Sequence, residues 1–231
     1  MMILLQTDLT NAAVQTANAT DASQVSLSFV ELAIKGGWVM IPIVILSIVA
    51  IYIFFERYFA ITKATGIDIN FMNRIKDYIH DGKLDSAHAL CQSFKNPVAR
   101  MIEKGISRVG RPLNDVNAAI ENIGKLEIYK LEKGLPVLAT CAGGAPMLGF
   151  LGTVMGMVRA FYDMSMSGNN IDVSLLSNGI YTALITTVAG LIVGILAYFA
   201  YNVLVTKVEQ VVFRLEASTT EFMDLLNEPV K

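Results

Sequence analysis

The sequence predicts an all-α membrane protein, with three transmembrane helices, long cytoplasmic helical extensions and a small helical cytoplasmic domain. Three observations predict it. Composition comes first: 54% of the 231 residues are hydrophobic and only 16% charged, and the mean hydropathy is +0.52, more apolar than ordinary soluble domains. Second are three uncharged runs, 20 residues over Gly36 to Phe55, 25 between Lys133 and Arg159, and 34 between Asp172 and Lys207. About 20 apolar residues suffice for a helix to cross roughly 30 Å of hydrocarbon. Third, 13 of the 18 Lys and Arg residues fall between Arg57 and Lys133. The positive-inside bias places that block in the cytoplasm, with the N-terminus and the 161–174 connection outside and the C-terminus cytoplasmic.

Taken in order, residues 1–35 read as an extracytoplasmic tail followed by an amphipathic helix over Val25 to Ile34. No cleaved signal is expected, because the first basic residue is Lys35 and Met-Met-Ile-Leu-Leu is too short an apolar core. Transmembrane helix 1 is expected over 36–58, opened by Trp38 and closed by Tyr52 and Tyr58 as interfacial aromatics. Residues 59–133 form the cytoplasmic helical domain. There Ile69, Met72, Ile75 and Ile79 recur at helical spacing, Gly82 stops that helix, Leu84 to Cys91 start another, and Asn96-Pro97 opens a third. After Arg111-Pro112, Asn114 is the expected N-cap of a helix whose apolar pattern runs towards the second span.

Transmembrane helix 2 is expected over 134–160, with a kink at Pro136 or Pro146. The periplasmic connection at 161–174 follows, then transmembrane helix 3 over 175–206 and a cytoplasmic C-terminal helix over 207–231. The third span is expected to continue unbroken far into the cytoplasm, since Tyr181 to Asn227 holds glycine only at 190 and 194 and no proline. Cys91 and Cys141 read as separate reduced thiols. His80 and His88 lie among solvated charges and make no metal site, no cofactor motif is present, and nothing points to nucleic acid.

Within the spans the residues that lipid does not require are small or hydroxylated. Gly149, Gly152 and Gly156 in the second span, and Gly190 and Gly194 in the third, have the spacing that lets helix backbones approach closely. Asn178, Thr182 and Thr186 follow at i, i+4 and i+8, with Thr187 beside them and Thr153 on the other helix. Counted from the expected span ends, Thr153 and Thr182 fall at similar depth and Thr187 roughly 7 Å deeper. Any one of these threonines can simply bond the carbonyl a turn earlier. As a group, Thr153, Thr187, Thr182 and Thr186 are expected to line a polar path. A hydroxyl orients water or a carboxyl without titrating, and no Asp, Glu or His lies inside the three uncharged runs, although proton relays use those residue types. Such hydroxyls can line a path but cannot supply the charge. No nucleophile with a neighbouring base appears, so no enzyme activity is expected.

Ala145-Pro146-Met147-Leu148-Gly149-Phe150-Leu151-Gly152-Thr153-Val154-Met155-Gly156, followed by Gly179-Ile180-Tyr181-Thr182-Ala183-Leu184-Ile185-Thr186-Thr187, resembles the MotA/TolQ/ExbB proton channel family. ExbB is the nearer likeness and TolQ the next, while MotA, with a four-span plan, is more distant. The resemblance implies a multi-pass subunit of the bacterial inner membrane, pentameric, whose second and third spans line a central pore. In that pore would sit a single-span ExbD- or TolR-like partner carrying an Asp. The proton motive force would then energise TonB-dependent outer-membrane transport or, with a TolA-like protein, the Tol-Pal envelope system. Thr153 and Thr187 match the family's two pore threonines beside that Asp. Thr182 stands where many ExbB and TolQ sequences have Glu, which shifts the titrating role further onto the partner. A non-conducting membrane scaffold and a Na⁺-driven stator are the alternatives from other classes.

Overall fold

The computed structural model describes residues 36–66, 70–166 and 173–227. The amphipathic helix expected at Val25 to Ile34 and the middle of the 161–174 connection lie outside the described residues. Seven helices are described: α1 Met40–Thr65, α2 Phe71–His80, α3 Leu84–Ser93, α4 Pro97–Ile106, α5 Leu113–Glu132, α6 Leu135–Met166 and α7 Val173–Asn227. No strand occurs among the described residues. Three helical stretches are long and apolar enough to cross a membrane. The protein is an all-α, multi-pass membrane protein.

Helix α1 is apolar over most of its length because it faces lipid as well as protein: Ile41, Ile45, Ile48 and Ile51 are exposed while Ile43 and Ala50 are buried. Pro42 sits in its first turn, where a missing N–H breaks no helical bond. Its other end is closed from a distance in sequence. Arg214 of α7 donates from Nη1 to the Thr65 carbonyl at 2.8 Å, satisfying one of the carbonyls that a helix terminus leaves open.

Below the spans, α2, α3 and α4 pack with α5 and the far half of α7 around Phe71, Ile75, Cys91, Ile102, Ile120, Leu215 and Phe222. The punctuation is local. Gly82 takes φ +70° after α2, a conformation that costs glycine little. Asn96 caps α4 by accepting from the Ala99 N–H at 2.7 Å, with Pro97 at the first helical position. At α5 the structure departs from expectation. The helix begins at Leu113, the N–H groups of Asp115 and Val116 bond the Pro112 carbonyl, and Asn114 lies inside the first turn. Pro112, with its fixed φ, takes the cap position.

The break between the soluble helices and the second span also differs from expectation. It falls at Gly134, whose φ of +92° ends the α5 ladder before α6 begins one residue later. Pro136 is harmless because it lies in the first turn of α6, whereas Pro146 lies inside the helix. The Pro146 ring projects towards Gly194 of α7, where an added Cβ would collide with its Cγ. Helix α7 runs 55 residues unbroken, roughly 80 Å at 1.5 Å per residue, and carries the third span into the soluble bundle as one rod.

Cys91 is 1% exposed within that bundle. Burial, and next the charge of Glu103, push its thiol up from 9.0 to about 12. The neutral thiol is thus the folded form at neutral pH, and this ionisation destabilises the fold only as pH rises from 9.0 towards about 12. Folded protein at pH 8 is expected to leave Cys91 unmodified by iodoacetamide, and denatured protein to be alkylated there; mass spectrometry of the Cys91 peptide reads the difference, and rapid labelling of the folded chain would refute the burial argument.

Candidate functional site: the α6–α7 seam

The two longest spans meet along glycine. An added Cβ on Gly149 would lie 2.9 Å from the Thr186 carbonyl oxygen and 3.1 Å from the Thr187 Cα, and one on Gly156 would lie 2.8 Å from the Ala183 Cβ. A Cβ on Gly190 would lie 2.5 Å from the Ala145 carbonyl oxygen. Gly152 has the Thr186 hydroxyl directly over it, and Gly179 abuts Ala160. All five glycines expected to pack helices therefore sit where the partner helix leaves no room for a side chain. In lipid, where burial of apolar surface gives no net drive between helices, such close approach supplies the packing energy.

These pairings set the register of the antiparallel helices. Gly156 stands level with Ala183, Gly152 with Thr186 and Gly149 with Gly190. Thr153 thus lies between Thr182 and Thr187 in depth, roughly 5 Å from the level of the first and roughly 2 Å from that of the second at 1.5 Å per residue. Counting from Arg159 puts Thr153 level with Thr182; the seam register instead sets it nearer the level of Thr187, and α6 continues past Arg159 to Met166.

The four threonines occupy different surroundings. Thr186 is 1% exposed, inside the seam, with its hydroxyl 2.7 Å from the Ala183 carbonyl and 3.4 Å from that of Gly149. Thr187 is half-buried and donates across the seam to the Gly149 carbonyl at 2.9 Å. Thr153, half-buried on α6, donates to its own Phe150 carbonyl at 2.6 Å. Thr182 is half-buried on α7. The charges nearest to this region on α6 are Arg159 and Asp163, paired at 3.9 Å. Neither α7 between Val173 and Thr206 nor α1 between Met40 and Phe55 holds any charge.

A second polar cluster marks the opposite end of the spans. Glu127 of α5 is 5% exposed, yet its carboxylate accepts from Arg100 of α4 at 2.8 Å and from Lys130 at 2.6 Å. Arg57 of α1 pairs with Glu56 and donates to the Lys130 carbonyl at 3.2 Å. Three helices are pinned together where the spans leave the soluble bundle. Sequence reading missed Glu127, although its place on the row Val116, Ile120, Gly124, Glu127, Leu131, all buried, was a usable signal. Among the described residues no group of His, Cys, Asp and Glu could hold a metal ion.

Three apolar spans, two of them fused by a glycine seam bearing hydroxyls and no charge, make this a multi-pass membrane subunit. The family model for the MotA/TolQ/ExbB proton channel family matches residues 93–217, more than half of the chain. The chain is 32% identical over 135 residues to an ExbB homolog of biopolymer transport from Methanothermobacter thermautotrophicus, covering 58% of this chain and 47% of that one. It is also 32% identical over 211 residues to the Tol-Pal system protein TolQ of Haemophilus influenzae, covering 80% of this chain and 87% of that one. A biopolymer transport protein ExbB of Helicobacter pylori is 39% identical over 89 residues, covering 38% of this chain and 60% of that one. The chain spans about half the length of the first of these relatives. It belongs to the MotA/TolQ/ExbB proton channel family.

Proposed function

We propose that this chain is the wall-forming subunit of a proton-driven motor in the bacterial inner membrane, built as a pentamer around an ExbD-like single-span partner that supplies an intramembrane Asp. Protonation of that Asp against a wall made by the second and third spans would energise TonB-dependent outer-membrane transport. One observation carries the reading: Thr153 and Thr187 flank a seam whose two helices hold no titratable acid at their depth. Such a wall orients a proton carrier and cannot be one. The excess of Lys and Arg between Arg57 and Lys133 supports a periplasmic N-terminus and a cytoplasmic C-terminus. A TolQ-type role in the Tol-Pal system, with TolR- and TolA-like partners, is the second reading, favoured by the coverage of 87% on the Haemophilus influenzae TolQ.

Reconstitution tests it. Liposomes holding this chain with a co-encoded single-span, Asp-bearing protein are expected to conduct protons, and liposomes holding either protein alone are not. Thr153→Val is expected to assemble normally and to lose flux by about five- to tenfold, the worth of one hydrogen bond of about 1 kcal/mol. Flux from this chain without a companion would overturn the division of roles, and a complex that never conducts would favour a scaffold.

A further inference from the structure

Three of the four threonines have no hydroxyl hydrogen left to give. Thr153 spends its hydrogen on the Phe150 carbonyl at 2.6 Å, Thr186 on that of Ala183 at 2.7 Å, and Thr187 on that of Gly149 at 2.9 Å. A hydroxyl has one hydrogen and two lone pairs. Once the hydrogen is committed to a main-chain carbonyl, the oxygen can meet any third group only as an acceptor. Thr186 is enclosed in the seam, whereas Thr153 and Thr187 are half-buried and keep an open side.

Resting on the partner proposed above, we propose that Thr153 and Thr187 form an acceptor-only wall, which binds the partner's carboxyl in its protonated form through O–H···Oγ hydrogen bonds and offers the ionised form no donor. An ionised carboxylate is itself acceptor-only, so it finds lone pairs facing lone pairs, whereas the neutral acid brings the one hydrogen the wall lacks. The wall therefore holds the acid after it takes a proton and releases it when the proton leaves, without a charge of its own. The low dielectric at this depth strengthens the discrimination.

No neighbouring charge reverses this preference. On α6 the charged residues are Arg159 and Asp163, which pair with each other at 3.9 Å and begin roughly 9 Å from Thr153 along the helix. On α7 the first charge beyond Asp172 is Lys207, and on α1 the first beyond Lys35 is Glu56. The Thr187 bond to Gly149 also fixes where its lone pairs point, because the donor direction is set by a carbonyl of the facing helix. The acceptor geometry is thus part of the seam.

The sign of a pH shift tests the assignment. In lipid-reconstituted complex, the carbonyl stretch of the partner's protonated carboxyl is titrated by infrared spectroscopy. Thr153→Val and Thr187→Val are each expected to move the midpoint to lower pH by about half a unit to one unit, a roughly three- to tenfold loss in proton affinity. Thr187→Ser, which keeps the hydroxyl, is expected to leave it in place. Thr153→Val is the cleaner variant because Thr153 makes no bond across the seam. A midpoint that moves to higher pH would mean that the hydroxyls donate to the carboxylate, and an unmoved one that they do not reach it; either overturns the assignment. Failure of the wild-type chain to retain the partner would remove the proposed function itself, and with it this inference. That outcome is read before any variant is made.

Discussion

Replacing Gly190 with leucine is expected to force the two long membrane helices apart and to abolish recovery of the folded chain. A Cβ at this position would lie 2.5 Å from the Ala145 carbonyl oxygen, 3.0 Å from the Gly149 Cα and 3.1 Å from the Gly149 nitrogen. All three are main-chain atoms of α6, so no side-chain rotation relieves the overlap. Overpacking a well-packed core costs about 1–3 kcal/mol for a few methylenes. A whole isobutyl group against backbone exceeds that, and total stabilities are only about 5–15 kcal/mol. Lipid offers no compensation, since the leucine would be no better solvated between the helices than outside them. Gly143→Ala supplies the control, because nothing lies within 4 Å of an added Cβ there. It is expected to be neutral or slightly stabilising, by up to about 1 kcal/mol from helix propensity. Unfolding in mixed detergent and denaturant would compare the two, and a Gly190→Leu chain as stable as Gly143→Ala would refute the seam.

The glycine rows were legible because a membrane helix has few reasons to carry glycine other than close approach. The roles of the hydroxyls were only partly legible. Asn178, Thr182 and Thr186 read as one stripe at i, i+4 and i+8, yet each step of four residues turns roughly 40° further round a helix of 3.6 residues per turn. The row therefore rolls from Asn178, exposed, through Thr182, half-buried, to Thr186, 1% exposed in the seam. Thr187, one residue on, keeps an open side while reaching Gly149. Which of two adjacent threonines is enclosed depends on where the facing glycines fall, and that is a property of the helix pair.

Two other features were hidden for different physical reasons. Proline draws attention as a helix breaker, but Pro136 in a first turn removes no hydrogen bond, and the break belongs to Gly134, whose φ of +92° carries no mark in a one-dimensional pattern. Glu127 stands among other charges on its helix, Glu121, Lys125 and Lys130. Only its position on the buried row Ile120, Gly124, Leu131 distinguishes it, and its tolerance there depends on Arg100, a residue 27 positions away. Long-range pairing of this kind is invisible to local periodicity.

Phe222→Ala is expected to be the most damaging single truncation in the soluble bundle, at about 3–5 kcal/mol. Phe222 is fully enclosed near the end of α7. Its ring is held by a glycine on another helix: a Cβ on Gly105 of α4 would lie 2.6 Å from the Phe222 Cε1 and 2.8 Å from the Ile120 Cδ1 of α5. The ring thus fills the space where α4, α5 and α7 converge, and removing it leaves a cavity that three rigid helices cannot easily close. Gly105→Val approaches the same spot from the other side and is expected to cost about 1–3 kcal/mol by overpacking. The damage should stay local. Gly190 and Phe222 are 32 residues apart on one helix, roughly 50 Å, and sites so far apart are usually energetically independent. Hydrogen exchange is therefore expected to show faster opening of α2 to α5 and of the last turns of α7, with the α6–α7 seam protected as before. Equal loss of protection at the seam would show that the long rod of α7 transmits disorder from the bundle into the membrane.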